Sequence, residues 1–156
     1  MQDLDNRGGQ KKVPEASGKS ALSFSELDLD ERLTRALSDV GFSSCTPIQA
    51  ETLPLLLNGT DVAGQAQTGT GKTAAYLLAM LNTLLKDDIS KVGFFKGEKS
   101  LPRGLVVAPT RELAIQIYND LEVLGKNANL SYALVYGGID YETQKIKASQ
   151  KVDIFP

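Results

Sequence analysis

The chain has 156 residues, 42% of them apolar and 23% charged, with 17 Lys+Arg against 19 Asp+Glu for a formal net charge of −2. That is one domain's worth of ordinary globular composition. With no His and a single Cys, Cys45, the sequence excludes a Ser-His-Asp or Cys-His nucleophile, an internal disulfide and a Cys/His zinc centre.

No apolar run reaches the roughly 18 residues of a membrane span. The polar start, Met1 to Ser20, lacks the apolar core of a secretory signal. The simplest placement is the cytoplasm. A pI near 5.2 argues against nucleic-acid binding by bulk charge.

Residues 1–22 are polar and Gly-punctuated with nearly balanced charge, and read as a disordered, solvated tail. Asp30 caps a helix whose Leu33, Ala36, Leu37 and Val40 share one face, stopped by Gly41. Thr46-Pro47 opens a second helix, with a kink or restart at Pro54 and an end at Asn58-Gly59. Asp61 to Gln65 reads as a short strand. Ala74 to Leu81 is apolar all round, the mark of a buried helix.

Residues 86–103 read as a surface loop. Leu105 to Ala108 is fully apolar, as in a parallel strand covered on both faces. A helix follows from Arg111 to Leu124, then a strand from Tyr132 to Tyr136 ending in Gly137-Gly138. A short helix from Tyr141 to Gln150 and a strand from Val152 to Phe155 complete the pattern. Strand and helix alternate from residue 61 onward, which predicts an α/β fold with a mainly parallel sheet and flanking helices.

The chemical centre is Ala66-Gln67-Thr68-Gly69-Thr70-Gly71-Lys72-Thr73, placed after a strand and opening a helix, as a phosphate loop requires. Gly69 and Gly71 let the backbone turn its N–H groups inward around polyphosphate oxygens. Lys72 supplies a point charge for the β- and γ-phosphates, and the Thr73 hydroxyl is the candidate Mg²⁺ ligand. The motif departs from its strict form in starting with Ala66 rather than Gly.

Such a loop fits kinases, GTP switches, transporters and helicases alike. The Asn-Lys-x-Asp segment of a GTPase does not occur, and little chain remains for a kinase's acceptor site. Upstream, the Gln49 amide offers a donor and an acceptor side by side, matching adenine and not guanine. Phe24 offers a ring to stack on the base. Thr46-x-x-Gln49 is also a capping box, so both uses of Gln49 stand open.

Phe24, Gly41-Phe42…Thr46-Pro47-Ile48-Gln49, Ala66…Gly71-Lys72-Thr73, Pro109-Thr110-Arg111-Glu112-Leu113 and Gly137-Gly138 together resemble the DEAD-box ATP-dependent RNA helicases. The resemblance covers roughly residues 24–154. The wording around Cys45 to Ala50 and Asp61 to Gln67 is most similar to the bacterial RhlB-type members, which work with the RNA degradosome.

The resemblance implies a RecA-like fold with ATP and Mg²⁺ as cofactors. Phe24 and Gln49 would recognise adenine, Thr46 would be a further cofactor-binding residue, and Ala66, Gln67, Thr68, Gly69, Thr70, Gly71, Lys72 and Thr73 would hold the triphosphate. Lys72 and Thr73 would carry the catalytic role. The RNA backbone would meet Pro109, Thr110, Arg111, Gly137 and Gly138. The physics agrees: a helix start after a strand presents N–H groups to a phosphate, Arg pairs with it, and a Gly pair allows close approach. Glu112 reads as a first-turn carboxylate and Cys45 as a packing residue.

The family's Asp-Glu-Ala-Asp, Ser-Ala-Thr and Thr-Pro-Gly-Arg segments do not occur in these residues, nor does a second RecA-like domain. Residues 23–156 are therefore expected to be an incomplete ATP-binding domain, a fragment that binds nucleotide without turnover. The competing expectations are a non-catalytic ATP-binding module and a truncated, non-functional product.

Overall fold

The computed structural model describes residues 22–86, 102–138 and 152–156. The expected tail up to residue 21, most of the loop over 86–103 and the expected helix over 141–150 lie outside the described residues. Leu22, the last residue of the expected tail, is tied down: its carbonyl accepts from the Cys45 N–H at 2.7 Å.

Helix α1 (Glu31–Asp39) starts as its sequence dictates. Asp30 Oδ1 accepts from the Arg32 N–H at 2.9 Å, and both carboxylate oxygens are gripped by the Arg32 guanidinium at 2.8 Å. Helix α2 (Pro47–Leu57) begins with Thr46 as N-cap and Pro at its first position. It runs on through Pro54, forgoing one hydrogen bond to Ala50.

Helix α3 (Lys72–Lys86) leaves the phosphate loop and is the hub of the core. Its Leu77, Leu78 and Leu81 are fully buried. It packs against α1, α2 and α4 (Arg111–Leu124), which in turn buries Ala114, Ile117, Leu121 and Leu124. Burial on several sides is what a helix apolar all round demands.

The sheet is parallel but shorter than the apolar runs imply. Strands β1 (Gly104–Leu105) and β2 (Ile154–Phe155) pair Gly104 with Ile154 and Leu105 with Phe155. A parallel bridge from Tyr132 to Ile154 puts the third segment on the other side of β2. Arg103 and Asp153 pin the start of the sheet. Arg103 Nη2 lies 2.8 Å from Asp153 Oδ1, and Asp153 Oδ2 accepts from the Ser131 N–H and hydroxyl at 2.9 Å each.

Several strand expectations need correction. Residues 61–65 form no strand, because no ladder partner lies beside them among the described residues. Of 105–108 and 132–136, only Leu105 and Tyr132 are paired as strand or bridge residues, although the Val106 N–H donates to the Phe155 carbonyl at 2.8 Å and the Ala133 N–H to the Ile154 carbonyl at 3.1 Å. Leu105 is 71% and Val107 84% exposed, so this part of the sheet is bare on one face rather than covered on both. The α/β class and the parallel pairing stand.

Candidate functional site

The phosphate loop folds onto the start of α2. Gly69 and Gly71 take φ of 79° and 92°, a region only Gly enters freely. A Cβ on Gly71 would stand 2.5 Å from Gln49 Nε2 and 3.1 Å from Thr46 Oγ1, so this backbone must be bare. Thr70 Oγ1 donates to the Gln67 carbonyl at 2.8 Å. The Lys72 ammonium donates to the carbonyls of Ala66 and Gln67, closing the loop over the entry to α3.

Gln49 is 4% exposed and its amide is engaged on both sides. Oε1 accepts from the Thr46 N–H at 2.9 Å, the return arm of the capping box. Nε2 donates to the Gly71 carbonyl at 3.1 Å, tethering the phosphate loop. Thr46 Oγ1, facing the Gln49 N–H in that box, is buried and reaches no partner at full hydrogen-bond geometry. The capping role of Gln49 is formed, and the amide also fixes the loop.

One cavity of about 840 Å³ is lined by Phe24, Phe42, Thr46, Gln49, Gly69, Gly71, Lys72 and Thr73. Most of the predicted nucleotide residues therefore share a single space, whereas Ala66, Gln67 and Thr70 do not line it. Phe24 is only 3% exposed, held by its N–H to the Ser43 carbonyl at 3.3 Å. Phe42, which lines the same cavity at 49% exposure, offers the more accessible ring. Its place next to Gly41 was the signal that could have singled it out.

Sequence reasoning also missed Asn82, which is 3% exposed in mid-α3. Its Oδ1 accepts from the Asp30 N–H at 2.8 Å and its Nδ2 donates to the Asp28 carbonyl at 3.1 Å. These bonds fasten the segment that follows Phe24 to the helix that follows Lys72. Burial pushes the Tyr76 phenol up, and the neighbouring Thr73 side chain opposes that shift.

The residues fit a Mg²⁺–nucleotide. The orphaned Thr46 hydroxyl, the bare Gly71 backbone, the Lys72 ammonium and the Thr73 hydroxyl converge on one cavity. Among the described residues no group of three or more His, Cys, Asp or Glu side chains is placed to hold a metal ion. A metal here would arrive on phosphate oxygens, with Thr73 as the protein ligand.

A second cavity, of about 590 Å³, joins Pro109, Thr110, Arg111, Tyr136 and Gly137. Thr110 caps α4, its hydroxyl accepting from the Leu113 N–H at 3.3 Å. Among the described residues the N–H groups of Arg111 and Glu112 have no protein acceptor, as at any helix start. Gly138 continues the turn at φ 88°. Four of the five predicted RNA-contact residues thus line one surface, with Gly138 adjacent. Tyr136 is an addition that the sequence did not single out.

The DEAD/DEAH box helicase family profile matches residues 46–155. The chain is 49% identical over 131 residues to the ATP-dependent RNA helicase RhlB of Pseudoalteromonas atlantica, covering 84% of this chain and 30% of that protein. It is 50% identical over 133 residues to the RhlB of Xanthomonas campestris pv. campestris, covering 85% of this chain and 22% of the relative. The chain thus spans under a third of the length of these relatives.

A DEAD box protein from Methanococcus jannaschii superposes with a TM-score of 0.71 at 33% identity, over 86% of this chain and 34% of that one. A hypothetical ATP-dependent RNA helicase from Sulfolobus tokodaii gives 0.66 at 34% identity, over 81% and 33%. The parallel β1–β2 pairing, the helices around it and the phosphate loop belong to a RecA-like helicase domain, and the chain is a member of the DEAD/DEAH box helicase family.

Proposed function

We propose that this chain is the ATP-binding part of an ATP-dependent RNA helicase, holding ATP–Mg²⁺ at residues 66–73 and RNA backbone at residues 109–111 and 137–138. The observation that carries the reading is the convergence of Thr46, Gln49, Gly71, Lys72 and Thr73 on one cavity. The triphosphate displaces the Ala66 and Gln67 carbonyls from the Lys72 ammonium, exchanging two neutral acceptors for an anion. The loop N–H groups and the start of α3 take the phosphate oxygens. Mg²⁺, when bound, neutralises phosphate charge, with Thr73 as its protein ligand.

Adenine preference falls to Gln49 with Phe24 and Phe42 as ring surfaces in the same cavity. RNA is read by its sugar–phosphate backbone rather than by base sequence. The RhlB-like sequence points to RNA degradosome components as further partners. Hydrolysis in the family uses an Asp-Glu-Ala-Asp segment that residues 1–156 do not contain, so these residues by themselves are expected to bind nucleotide without turnover.

Equilibrium titration of the full chain with a fluorescent ATP analogue and Mg²⁺ tests this. Lys72→Ala is expected to weaken binding by about tenfold or more. Gln49→Glu keeps the acceptor for the Thr46 N–H and removes the donor to Gly71. It also sets a carboxylate against the Gly71 carbonyl and untethers the loop, so it is expected to lower affinity for ATP and GTP alike as well as to lose preference for ATP. Unchanged nucleotide affinity in Lys72→Ala overturns the ATP site, and RNA-stimulated ATP hydrolysis by this chain overturns the absence of turnover.

A further inference from the structure

The Arg111 guanidinium lies over the Tyr136 ring, with its carbon 4.4 Å from the ring centroid. Nη2 also reaches the Tyr136 hydroxyl at 3.5 Å, the outer limit of a hydrogen bond. The two residues stand 25 positions apart, one opening α4 and the other directly before Gly137-Gly138. Both line the same cavity.

We propose that Tyr136 is the positioning residue for Arg111, holding its guanidinium ready for a phosphate of single-stranded RNA. The inference rests on the proposed RNA surface and adds to it a residue outside that set. Arg111 is exposed and Tyr136 half-buried, so the ring is the fixed partner and the guanidinium the movable one.

A planar guanidinium held by its face keeps its N–H donors along its edges, where a phosphate can take two of them. A long Arg side chain otherwise loses rotamer freedom when it grips an anion. Stacking before binding removes part of that loss. The Arg111 and Glu112 backbone N–H groups open the same helix, so a phosphate there meets both kinds of donor.

The test uses the full chain, a 15-nucleotide oligouridine at low salt, and NMR. In the free protein the Arg111 δ-protons are expected upfield from the Tyr136 ring current, with the shift kept in Tyr136→Phe and lost in Tyr136→Leu. Oligouridine affinity should fall about two- to fivefold in Tyr136→Leu and stay near wild type in Tyr136→Phe. Once Arg111 is Ala, Tyr136→Leu should have no further effect.

Weakening by Arg111→Ala with no effect of Tyr136→Leu overturns the positioning role and leaves the RNA surface standing. No effect of Arg111→Ala, or no binding at all, overturns both. Loss of the upfield shift on adding oligouridine also overturns the proposal, since a base would then have taken the ring from Arg111.

Discussion

Gly137 and Gly138 adjoin in sequence yet carry different constraints. Among the described residues a Cβ on either would meet nothing within 4 Å, but of the two only Gly138 has a positive φ, at 88°. Gly137→Ala should therefore leave the thermal midpoint unchanged, whereas Gly138→Ala is expected to cost about 1 kcal/mol from backbone strain. If the pair meets an RNA backbone, Gly137→Ala will still weaken oligouridine binding, because its methyl meets nothing among the described residues and would stand against the ligand. Thermal melts alongside RNA titrations separate the two effects. Gln49 carries a comparable double duty. Its spacing from Thr46 made the cap legible, while the bond to the Gly71 carbonyl joins residues 22 apart, and no local pattern marks it.

Helix starts and stops were the most legible elements because their causes are local. Asp30, Thr46 and Thr110 each stand as N-cap where the side-chain chemistry placed them. Strands were less legible, since an apolar run becomes a strand only when a neighbour supplies a ladder. Residues 61–65 lack one among those described. The burial of α3 came from its all-round apolar sequence and is its main energetic role. Leu78→Ala empties a fully buried position and is expected to cost about 2–5 kcal/mol in urea unfolding, far more than the same change at the exposed Leu55.

Two carboxylates, Asp30 in a local pair with Arg32 and Asp153 tying Arg103 to Ser131 across the sheet, make stability depend on pH. The hydrogen bonds from the Arg32 side chain hold Asp30 down at about 2. Burial pushes Asp153 up, but the hydrogen bonds from Ser131 and Arg103 outweigh it and leave the carboxyl below its usual value. Both folded-state values lie below the unfolded one. Their stabilisation is thus complete above the unfolded carboxylate range and is lost as protons bind the folded protein. Urea midpoints should be flat near neutrality and fall between about pH 4 and pH 2. Asp153→Asn, which weakens the tie among Arg103, Ser131 and the sheet, should lower the midpoint at neutral pH and shrink that acid-induced fall.

The sequence by itself determined the α/β class, the starts of α1, α2 and α4, the phosphate loop and the family resemblance. These rest on periodicity, capping and motif spacing along a short stretch of chain. Tertiary structure alone decided what those motifs touch. Gln49 closes on Gly71, Asn82 fastens the segment after Phe24 to α3, and Arg111 lies on Tyr136. It also decided that Leu105 and Val107 face outward, because burial depends on which elements pack above a strand and not on how apolar the strand is.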